Sequence, residues 1–336
     1  MTTTNPLFNE PAGAPSAAID FETTKEVGFY GLVWRRFKAR KIALVASVTL
    51  LAIAIACIAV PLFLPADCVD LSQVPNGNAL GPLSVGHSTG SPCVLPGNHF
   101  HLLGTDITGR DLLRRNLEGG RISLMIGVLT MTVSIVIATI LGALSGFFGG
   151  LLDLGVTAIT NGVLSIPSIL LLIILVRAVN ANNDLTVLGL STTICSIGVI
   201  VLAISLIAWP STARIVRSVI LSTREKEFIE AALMTGASDA RIIRSHLLPH
   251  LVAPIIVYST LIVAGYILSE AALSFLGVGI KVPTASWGNL LADAPYFYTT
   301  VPLLMLWPGI AVVLTTLAFN LLGDGLRDAF DPRSRL

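Results

Sequence analysis

Long stretches without a charged residue alternate with short polar segments along most of the chain. There are six such stretches, each close to or above the ~20 residues that an α-helix needs to cross the hydrocarbon core of a membrane. They cover residues 42–64, 122–148, 154–176, 185–209, 251–268 and 301–322. Because backbone groups in lipid must form their hydrogen bonds within the segment, the pattern predicts helices rather than open strands. The expected fold is an all-α integral membrane protein with six transmembrane helices.

The amino-acid composition agrees with this pattern. Hydrophobic residues make up 54% of the 336 residues and charged residues only 12%, whereas soluble domains average about 25% charged residues. The first apolar stretch differs from a cleaved signal peptide, because it ends in PLFLPADC without a small-x-small cleavage site. We therefore expect residues 42–64 to remain as the first transmembrane helix.

The distribution of Lys and Arg predicts the orientation of the chain. Cytoplasmic flanks of membrane proteins collect basic residues. With the N-terminus inside, 15 of the 21 basic residues fall on the inner side, and the outer segment 65–104 contains none. Both termini are therefore expected in the cytoplasm. The predicted regions are an inner tail (1–41), a first span (42–64), an outer loop with a short interfacial helix (65–121), a core of five spans (122–322) that includes an inner coupling segment (210–250), and an inner tail (323–336).

Common sequence patterns of enzyme active sites are absent from the chain. It contains no G-x-x-x-x-G-K-[ST] phosphate loop, no H-E-x-x-H pair and no G-x-S-x-G nucleophile turn. The chain is therefore not expected to bind ATP itself.

Two cysteines, Cys68 and Cys93, bracket part of the predicted outer loop. An oxidising compartment favours a disulfide between them, and two unpaired thiols are the alternative. The neighbouring histidines, His87, His99 and His101, do not provide the ligand spacing of a structural zinc site.

The charged stretch EAALMTGASDARIIRSHLLP (230–249) separates two of the apolar runs. Its first residues are good helix formers, and Gly236 then supplies the left-handed conformation that ends many helices. Ser238 and Asp239 can cap a second helix, predicted over residues 240–248, after which Pro249 begins the next span or closes the turn. A short helix, a turn and a second helix on the inner face would suit docking to a soluble partner. The alternative is a helix that lies on lipid headgroups.

The same stretch resembles a family motif. EAA, three residues, Gly, nine residues and x-x-Leu-Pro resemble the coupling motif of binding-protein-dependent ABC importer permeases, with His246 where Ile is usual. Three further blocks resemble the dipeptide/oligopeptide/nickel branch of that family. They are HLLGTDITGRDLLRRNLEGGRISL (101–124), ILSEAALSFLGVGIKVPTASWGNLLADA (267–294) and GDGLRDAFDPR (323–333). The resemblance extends over roughly residues 30–336.

This resemblance implies the type I ABC importer permease fold and the role of a C-type permease in a peptide importer. A homologous B-type permease would complete the channel, two cytoplasmic ATPase domains would bind below it, and an extracytoplasmic solute-binding protein would deliver the substrate. The ATPases would bind ATP and Mg²⁺, and this chain would hold no cofactor, no metal and no catalytic residue. The residues implied in coupling to the ATPase are Glu230, Ala231, Ala232, Gly236, Asp239, Arg241, Leu248 and Pro249.

Four residues are candidates for the translocation path or its gate, namely Asn161, Glu270, Ser274 and Trp287. Ionisable residues at membrane depth usually face a cavity or a partner, so Glu270 is expected to serve a gate or to hold helices together. Asn161 stands where the resembling subfamily often has Asp, which favours a hydrogen bond between helices. The loop 277–299 is expected at the outer interface because aromatic residues collect there.

Two other functions remain open at this point. An importer of nickel or another small solute, such as haem, would share the same blocks, because substrate selection in such systems rests largely with the binding protein. A membrane-embedded enzyme would need His246, His250 and Glu270 to act together, although the histidines are expected near the inner side and Glu270 near the outer side.

We predict a disulfide between Cys68 and Cys93, which have 24 residues between them. Closing a loop of this length would stabilise the outer region by about 3 kcal/mol. Mass spectrometry of peptides from the non-reduced protein should detect the cross-linked pair, with the reduced digest as the control. Two thiols that are freely alkylated in the native protein would contradict the prediction.

Overall fold

A computed structural model of the chain describes residues 29–63, 84–88, 97–105, 110–181, 192–292, 295 and 302–331. Cys68 and Cys93, and with them the predicted disulfide, lie outside these residues. The elements are α1 (Phe29–Ala39), α2 (Lys41–Phe63), β1 (Ser84–Ser88), β2 (Gly97–His101), α3 (Leu112–Phe148), α4 (Gly150–Ser165), α5 (Ser168–Ala181), α6 (Thr192–Arg224), α7 (Glu227–Met234), α8 (Asp239–Ile242), a π-helical turn (Ile243–Leu247), α9 (Leu248–Phe275), α10 (Trp287–Ala292) and α11 (Leu303–Phe330).

Within these residues, five helical runs are long and apolar enough to cross a membrane, and α4 with α5 makes six if this bent pair is one span. The prediction of an all-α membrane protein is confirmed, and the predicted number of six spans is reached when the bent pair counts as one span. The strands β1 and β2 form a small antiparallel hairpin in the predicted outer loop. The described spanning elements are helical, as expected where backbone polar groups must form their hydrogen bonds inside a membrane.

The helix α3 is longer than predicted. Instead of a separate interfacial helix before the second span, residues 112–148 form one continuous helix. Asp111 caps it, since its carboxylate accepts a hydrogen bond from the Arg114 N–H at 2.7 Å and so satisfies a free donor of the first turn. The basic side chain of Arg115 is buried and donates to the Pro283 carbonyl at 3.3 Å. The Arg115 contact holds the start of α3 against the loop after α9.

The third predicted span, 154–176, is bent. The axes of α4 and α5 differ by 94° across Ile166 and Pro167. Ile166 is extended, with φ −96° and ψ 134°, which is the conformation that a following proline favours. The Ser165 hydroxyl donates to the Asn161 carbonyl at 2.7 Å, which satisfies an acceptor in the last turn of α4. The break at Ile166 and Pro167 thus divides the predicted span into two helices.

The helices α3 and α6 approach each other so closely that their backbones touch. A Cβ atom on Gly142 would lie 2.7 Å from the Ala213 carbonyl oxygen, and one on Gly146 would lie 3.0 Å from the Arg217 carbonyl oxygen. Small residues allow this packing between membrane helices. Around this pair, α9 packs against α3 and α11, and α2 packs against α11 and α3.

The two ends of the described chain lie together. Arg36 of α1 donates to the Asp331 carbonyl at 2.8 Å, and Arg40 pairs with Asp328 of α11 at 3.2 Å. The helix α11 therefore continues past the predicted end of the sixth span and binds the N-terminal helix.

We predict that Gly120→Ala destabilises the fold. An added Cβ atom would lie 2.5 Å from the Cys57 sulfur and 2.6 Å from the Trp287 ring, and overpacking of this kind costs about 1–3 kcal/mol. The midpoint of thermal unfolding in detergent should fall. Gly198→Ala in α6 is the matched control, because its Cβ would meet no atom within 4 Å and Ala is the better helix former. Equal midpoints for the two variants would contradict the prediction.

Candidate functional site

The segment from Glu227 to Pro249, here called the EAA segment, begins with α7 and a tight turn. Gly236 has φ +80°, a conformation that glycine adopts without steric cost. Its N–H donates to the Leu233 carbonyl at 2.9 Å, and the Ala237 N–H donates to the Ala232 carbonyl at 3.0 Å. These two bonds form a Schellman cap. The turn expected at Gly236 is confirmed, and backbone hydrogen bonds fix the direction of the chain after it.

The second helix of the EAA segment was predicted to end at Leu248, and Pro249 either to begin the next span or to close the turn. The structure shows the first of these two roles. Asp239 begins a helical run that continues to Phe275 without a break. Pro249 has no N–H to donate, and its ring crowds the preceding turn of a helix. A wider π-helical turn, Ile243–Leu247, directly precedes α9, the helix that contains Pro249. Leu248 is half-buried and Pro249 is exposed. The EAA segment is therefore continuous with a membrane-spanning helix.

An apolar base anchors the EAA segment to the rest of the protein. Ile229, Ile242 and Leu247 are fully buried. They join a cluster that includes Val216 and Ile220 of α6. Burial of side chains of this size contributes about 1.5–3 kcal/mol each. Consequently, α7 is fastened to the end of α6 rather than free to move alone.

The C-terminal end of α7 is exposed and partly apolar. Met234 is 90% exposed and Leu233 is 52% exposed. Ala232 is half-buried, and the other predicted coupling residues of the first half and of α8 are exposed, namely Glu230, Ala231, Gly236, Asp239 and Arg241. Apolar side chains next to charges on a rigidly anchored helix are typical of a docking surface.

The histidines of this region and Glu270 do not form one site. The rings of His246 and His250 lie near Phe228, with centroids 6.4 Å and 5.3 Å from it. Glu270 follows His250 by 20 residues in α9, which places it roughly 30 Å away at the rise of an α-helix. The three groups expected of a membrane-embedded enzyme are therefore far apart. Within the part of the chain that the structure describes, no three His, Cys, Asp or Glu side chains are grouped to bind a metal.

Glu270 lies in a buried polar cluster, which we define as Ser123, Glu270, Ser274, Ser286, Trp287 and Asn289. Its carboxylate is inaccessible to solvent and accepts hydrogen bonds from Ser123 Oγ at 2.7 Å and Ser274 Oγ at 2.8 Å. Each serine also accepts a backbone N–H from the loop after α9, from Trp287 at 3.2 Å and from Ile280 at 3.0 Å. The carboxylate thus connects α3 and α9 to the backbone of this loop.

Trp287 fills space inside the protein. It is 1% exposed, and its indole N–H donates to the Asn116 carbonyl at 3.0 Å. The side chain of Asn289 supports the same loop, because it accepts the Ser286 N–H at 2.9 Å and donates to the Thr284 carbonyl at 2.6 Å. The expectation of a membrane-interface aromatic is therefore wrong for Trp287, whose ring packs against Gly120 of α3, while Gly119 faces the backbone of Ser286 and Trp287.

A groove of about 460 Å³ lies beside the bend between α4 and α5. Its walls come from the bend, from α6 and from α9. Hydroxyl groups supply its polar lining, from Ser168, Ser211, Tyr258, Tyr266 and Ser269. The lining that the structure describes does not include the four residues predicted for the path, which are Asn161, Glu270, Ser274 and Trp287. The role of these four residues in transport stays a prediction. The sequence signal that points to the groove is the spacing of the hydroxyl-bearing residues Tyr258, Tyr266 and Ser269 along α9.

Polar contacts join α4 to α6. Asn161 accepts a hydrogen bond from Arg214 Nη2 at 2.6 Å, which is the contact between helices expected of this residue. Asp153 accepts two bonds from Arg217, at 2.5 Å and 2.7 Å. Sequence reasoning did not single out Asp153, although it is the one charged residue within 122–176.

Comparison with known families gives matches over most of the chain. Residues 134–336 match the family described as "Binding-protein-dependent transport system inner membrane component". Residues 28–82 match the "N-terminal TM domain of oligopeptide transport permease C". The two matches include α1, α2 and every helix from α4 onward.

Curated proteins with similar sequences are transport permeases. The oligopeptide transport system permease protein OppC of Haemophilus influenzae is 41% identical over 236 residues, 70% of this chain and 71% of that protein. The dipeptide transport system permease protein DppC of Alkalihalophilus pseudofirmus is 40% identical over 235 residues, 70% of this chain and 73% of that protein. OppC of Mycobacterium bovis is 37% identical over 305 residues, 90% of this chain and 94% of that protein.

These matches confirm the family resemblance drawn from the four sequence blocks. They extend over the spans, the EAA segment and the helix α11. The chain belongs to the family of binding-protein-dependent transport system inner membrane components and is a multi-pass protein of the bacterial cytoplasmic membrane.

Proposed function

We propose that this chain is one of two membrane subunits of an ATP-driven peptide importer. The names of the similar permeases support peptides as the substrate class. A homologous permease completes the channel, two ATPase domains bind ATP and Mg²⁺ on the cytoplasmic side, and an extracytoplasmic binding protein delivers the peptide. The chain itself has no catalytic role.

The observation that carries this proposal is the structure of the EAA segment. The base of the segment, formed by Ile229, Ile242 and Leu247, is buried against α6. Its tip, the C-terminal end of α7, exposes Leu233 and Met234 beside the charge of Glu230. An exposed apolar helix tip on a rigid base fits a groove on a soluble partner. The turn at Gly236 joins α7 to α8, and α8 is continuous with α9 through the π-helical turn, so a displacement of the tip would be carried into the membrane.

The partner proposed for this surface is an ATPase. The chain lacks a phosphate-binding loop of its own, so ATP-driven transport requires a second protein. The bias of basic residues favours a cytoplasmic position for the EAA segment, which is the compartment that supplies ATP. The mixture of apolar and charged side chains favours a protein groove over a lipid surface.

The groove beside the α4–α5 bend is the proposed wall of the translocation path. Peptide bonds carry both a donor and an acceptor, and a hydroxyl group serves either one. The described lining is apolar or hydroxyl-bearing and carries no formal charge, which suits peptides that differ in their side chains. A second permease facing this groove would close it into a channel.

We predict that Gly236→Val breaks coupling while the protein still inserts in the membrane. A β-branched residue is poorly tolerated at positive φ, and the strain of about 1–3 kcal/mol would displace the tip of α7. The purified variant should lose its ATPase partner, or retain it without peptide uptake in reconstituted vesicles. Met234→Asp should weaken the same contact, because it places a charge where an apolar side chain docks.

Gly236→Asn is the matched control for this experiment. Asn adopts the left-handed conformation more readily than other non-glycine residues, so it should keep most of the coupling. Copurification, ATP hydrolysis and peptide uptake are measured side by side. Wild-type uptake by both Gly236→Val and Met234→Asp would show that the EAA segment does not receive the ATPase.

We predict that Glu270→Gln alters transport and leaves assembly intact. The amide keeps the shape of the carboxylate, but one of its two hydrogen-bonding atoms becomes a donor facing Ser123 or Ser274, so one bond of the buried polar cluster must reverse. The loop that this cluster holds should loosen, and stimulation of ATP hydrolysis by the binding protein should change. Uptake and stimulation equal to those of the wild type would contradict this role.

A further inference from the structure

Three arginines on the last turns of α6 contact neighbouring helices. Arg214, Arg217 and Arg224 precede α7 and are separated by three and seven residues, a spacing that places them on one face of a helix. Arg214 binds Asn161 and Arg217 binds Asp153, both on α4. We call these three side chains the arginine row.

The two remaining contacts of the arginine row involve the end of α3. Arg224 Nη1 donates to the Gly146 and Phe147 carbonyls at 3.1 Å and 3.0 Å. A cation is favoured there because unpaired carbonyl groups collect at the C-terminus of a helix. Ser145 of α3 also donates to Asp153, at 2.5 Å. Asp153 is therefore held by α3 and α6 together.

Packing alone holds α4 weakly. Thr160 is its buried residue, and Leu151, Leu154 and Ile159 are exposed. A cavity of about 260 Å³, lined in part by Arg214 and Arg217, separates α4 from α6. The polar contacts bridge this gap, so they, more than apolar contacts, set the position of α4 relative to α6.

The arginine row stands between two functional regions. On one side, Arg224 is followed within three residues by α7, whose Ile229 packs in the same apolar cluster as Ile220 of α6. On the other side, α4 leads to the bend at Pro167, and residues next to that bend line the groove. A displacement of the EAA segment that moves α6 would reach the groove wall through α4.

We infer that Arg217 and Asp153 form a positioning pair that transmits movement of the EAA segment to the bent span α4–α5. This inference rests on the proposed transport function and adds a specific connection between the ATPase contact and the groove. The two parallel bonds between guanidinium and carboxylate fix direction as well as distance. A single ammonium group does not reproduce that constraint, so a change that keeps the charge should still impair the connection.

The test compares single variants in the complete transporter, reconstituted in vesicles with its partner permease, ATPases and binding protein. Asp153→Asn and Arg217→Lys should keep ATP hydrolysis and should lower uptake of labelled tri-alanine per ATP hydrolysed by about tenfold, which lies within the range of measured pair couplings. Asp328→Asn is the matched control, because it makes the same chemical change in the Arg40–Asp328 pair, which does not touch α4. The control should keep the wild-type ratio of uptake to hydrolysis.

A charge exchange tests the pair itself. The double variant Asp153→Arg with Arg217→Asp should recover part of the uptake lost by either single exchange, since the ion pair is restored with its ends reversed. Recovery at unchanged assembly is a result that a purely structural role would not produce. Single variants with the wild-type ratio of uptake to hydrolysis would overturn the inference while leaving the proposed function in place.

Two further outcomes are decisive. If the single variants no longer assemble with the partner subunits, the pair is a structural contact and the inference is wrong. If the wild-type complex hydrolyses ATP without any peptide uptake, the proposed function fails and the inference fails with it. The wild-type measurement therefore separates the two failures.

Discussion

Direct contact between the backbones of α3 and α6 is the constraint on which the other parts of this structure depend. Gly142 and Gly146 leave no space for a side chain, so the two helices meet along a narrow and specific seam. More than half of the most apolar stretch of α6 is buried against other parts of the chain. The pair therefore forms a rigid unit, and the EAA segment, the bent span and the groove are all positioned relative to it.

Three parts are attached to this unit by three different kinds of interaction. The EAA segment is held by a fully apolar cluster, which favours a rigid attachment. The loop after α9 is held by buried hydrogen bonds that end at the Glu270 carboxylate, and networks of this type specify one geometry when every member is satisfied. The helix α4 is held by ionic contacts across a cavity. Of the three attachments, the one at α4 has the least apolar packing.

Features that depend on local chemistry were predictable from the sequence. Charge-free runs identified the spans because a membrane segment must be apolar over its whole length, and Gly236 identified the turn after α7 because few other residues adopt its backbone conformation. The EAA pattern located the candidate docking surface for the same reason, since its helix formers and its glycine are adjacent in the chain.

Features that depend on distant partners were not predictable in this way. Arg115 lies in a basic stretch that looks interfacial, but its partner is the Pro283 carbonyl, far away in the chain. The sequence predicts Trp287 at the membrane interface, but Gly120 of α3 provides space for its ring inside the protein. The bend at Pro167 and the passage of the helix through Pro249 show the limit of proline as a signal. Proline breaks a helix at Pro167 but is accommodated within a helical run at Pro249. The difference lies in the wider turn that precedes Pro249.

The continuous helical run from Asp239 to Phe275 also limits which insertions and deletions this gene can tolerate. Adding or removing one residue between Asp239 and Glu270 would rotate everything after it by about 100°. Glu270 would then turn away from Ser123, although no residue of the buried polar cluster had been replaced. The chain length between Asp239 and Glu270 is therefore a fixed dimension of the protein. Length variation among natural or engineered versions should be confined to loops outside this run, where a change in length leaves the register of the helix intact.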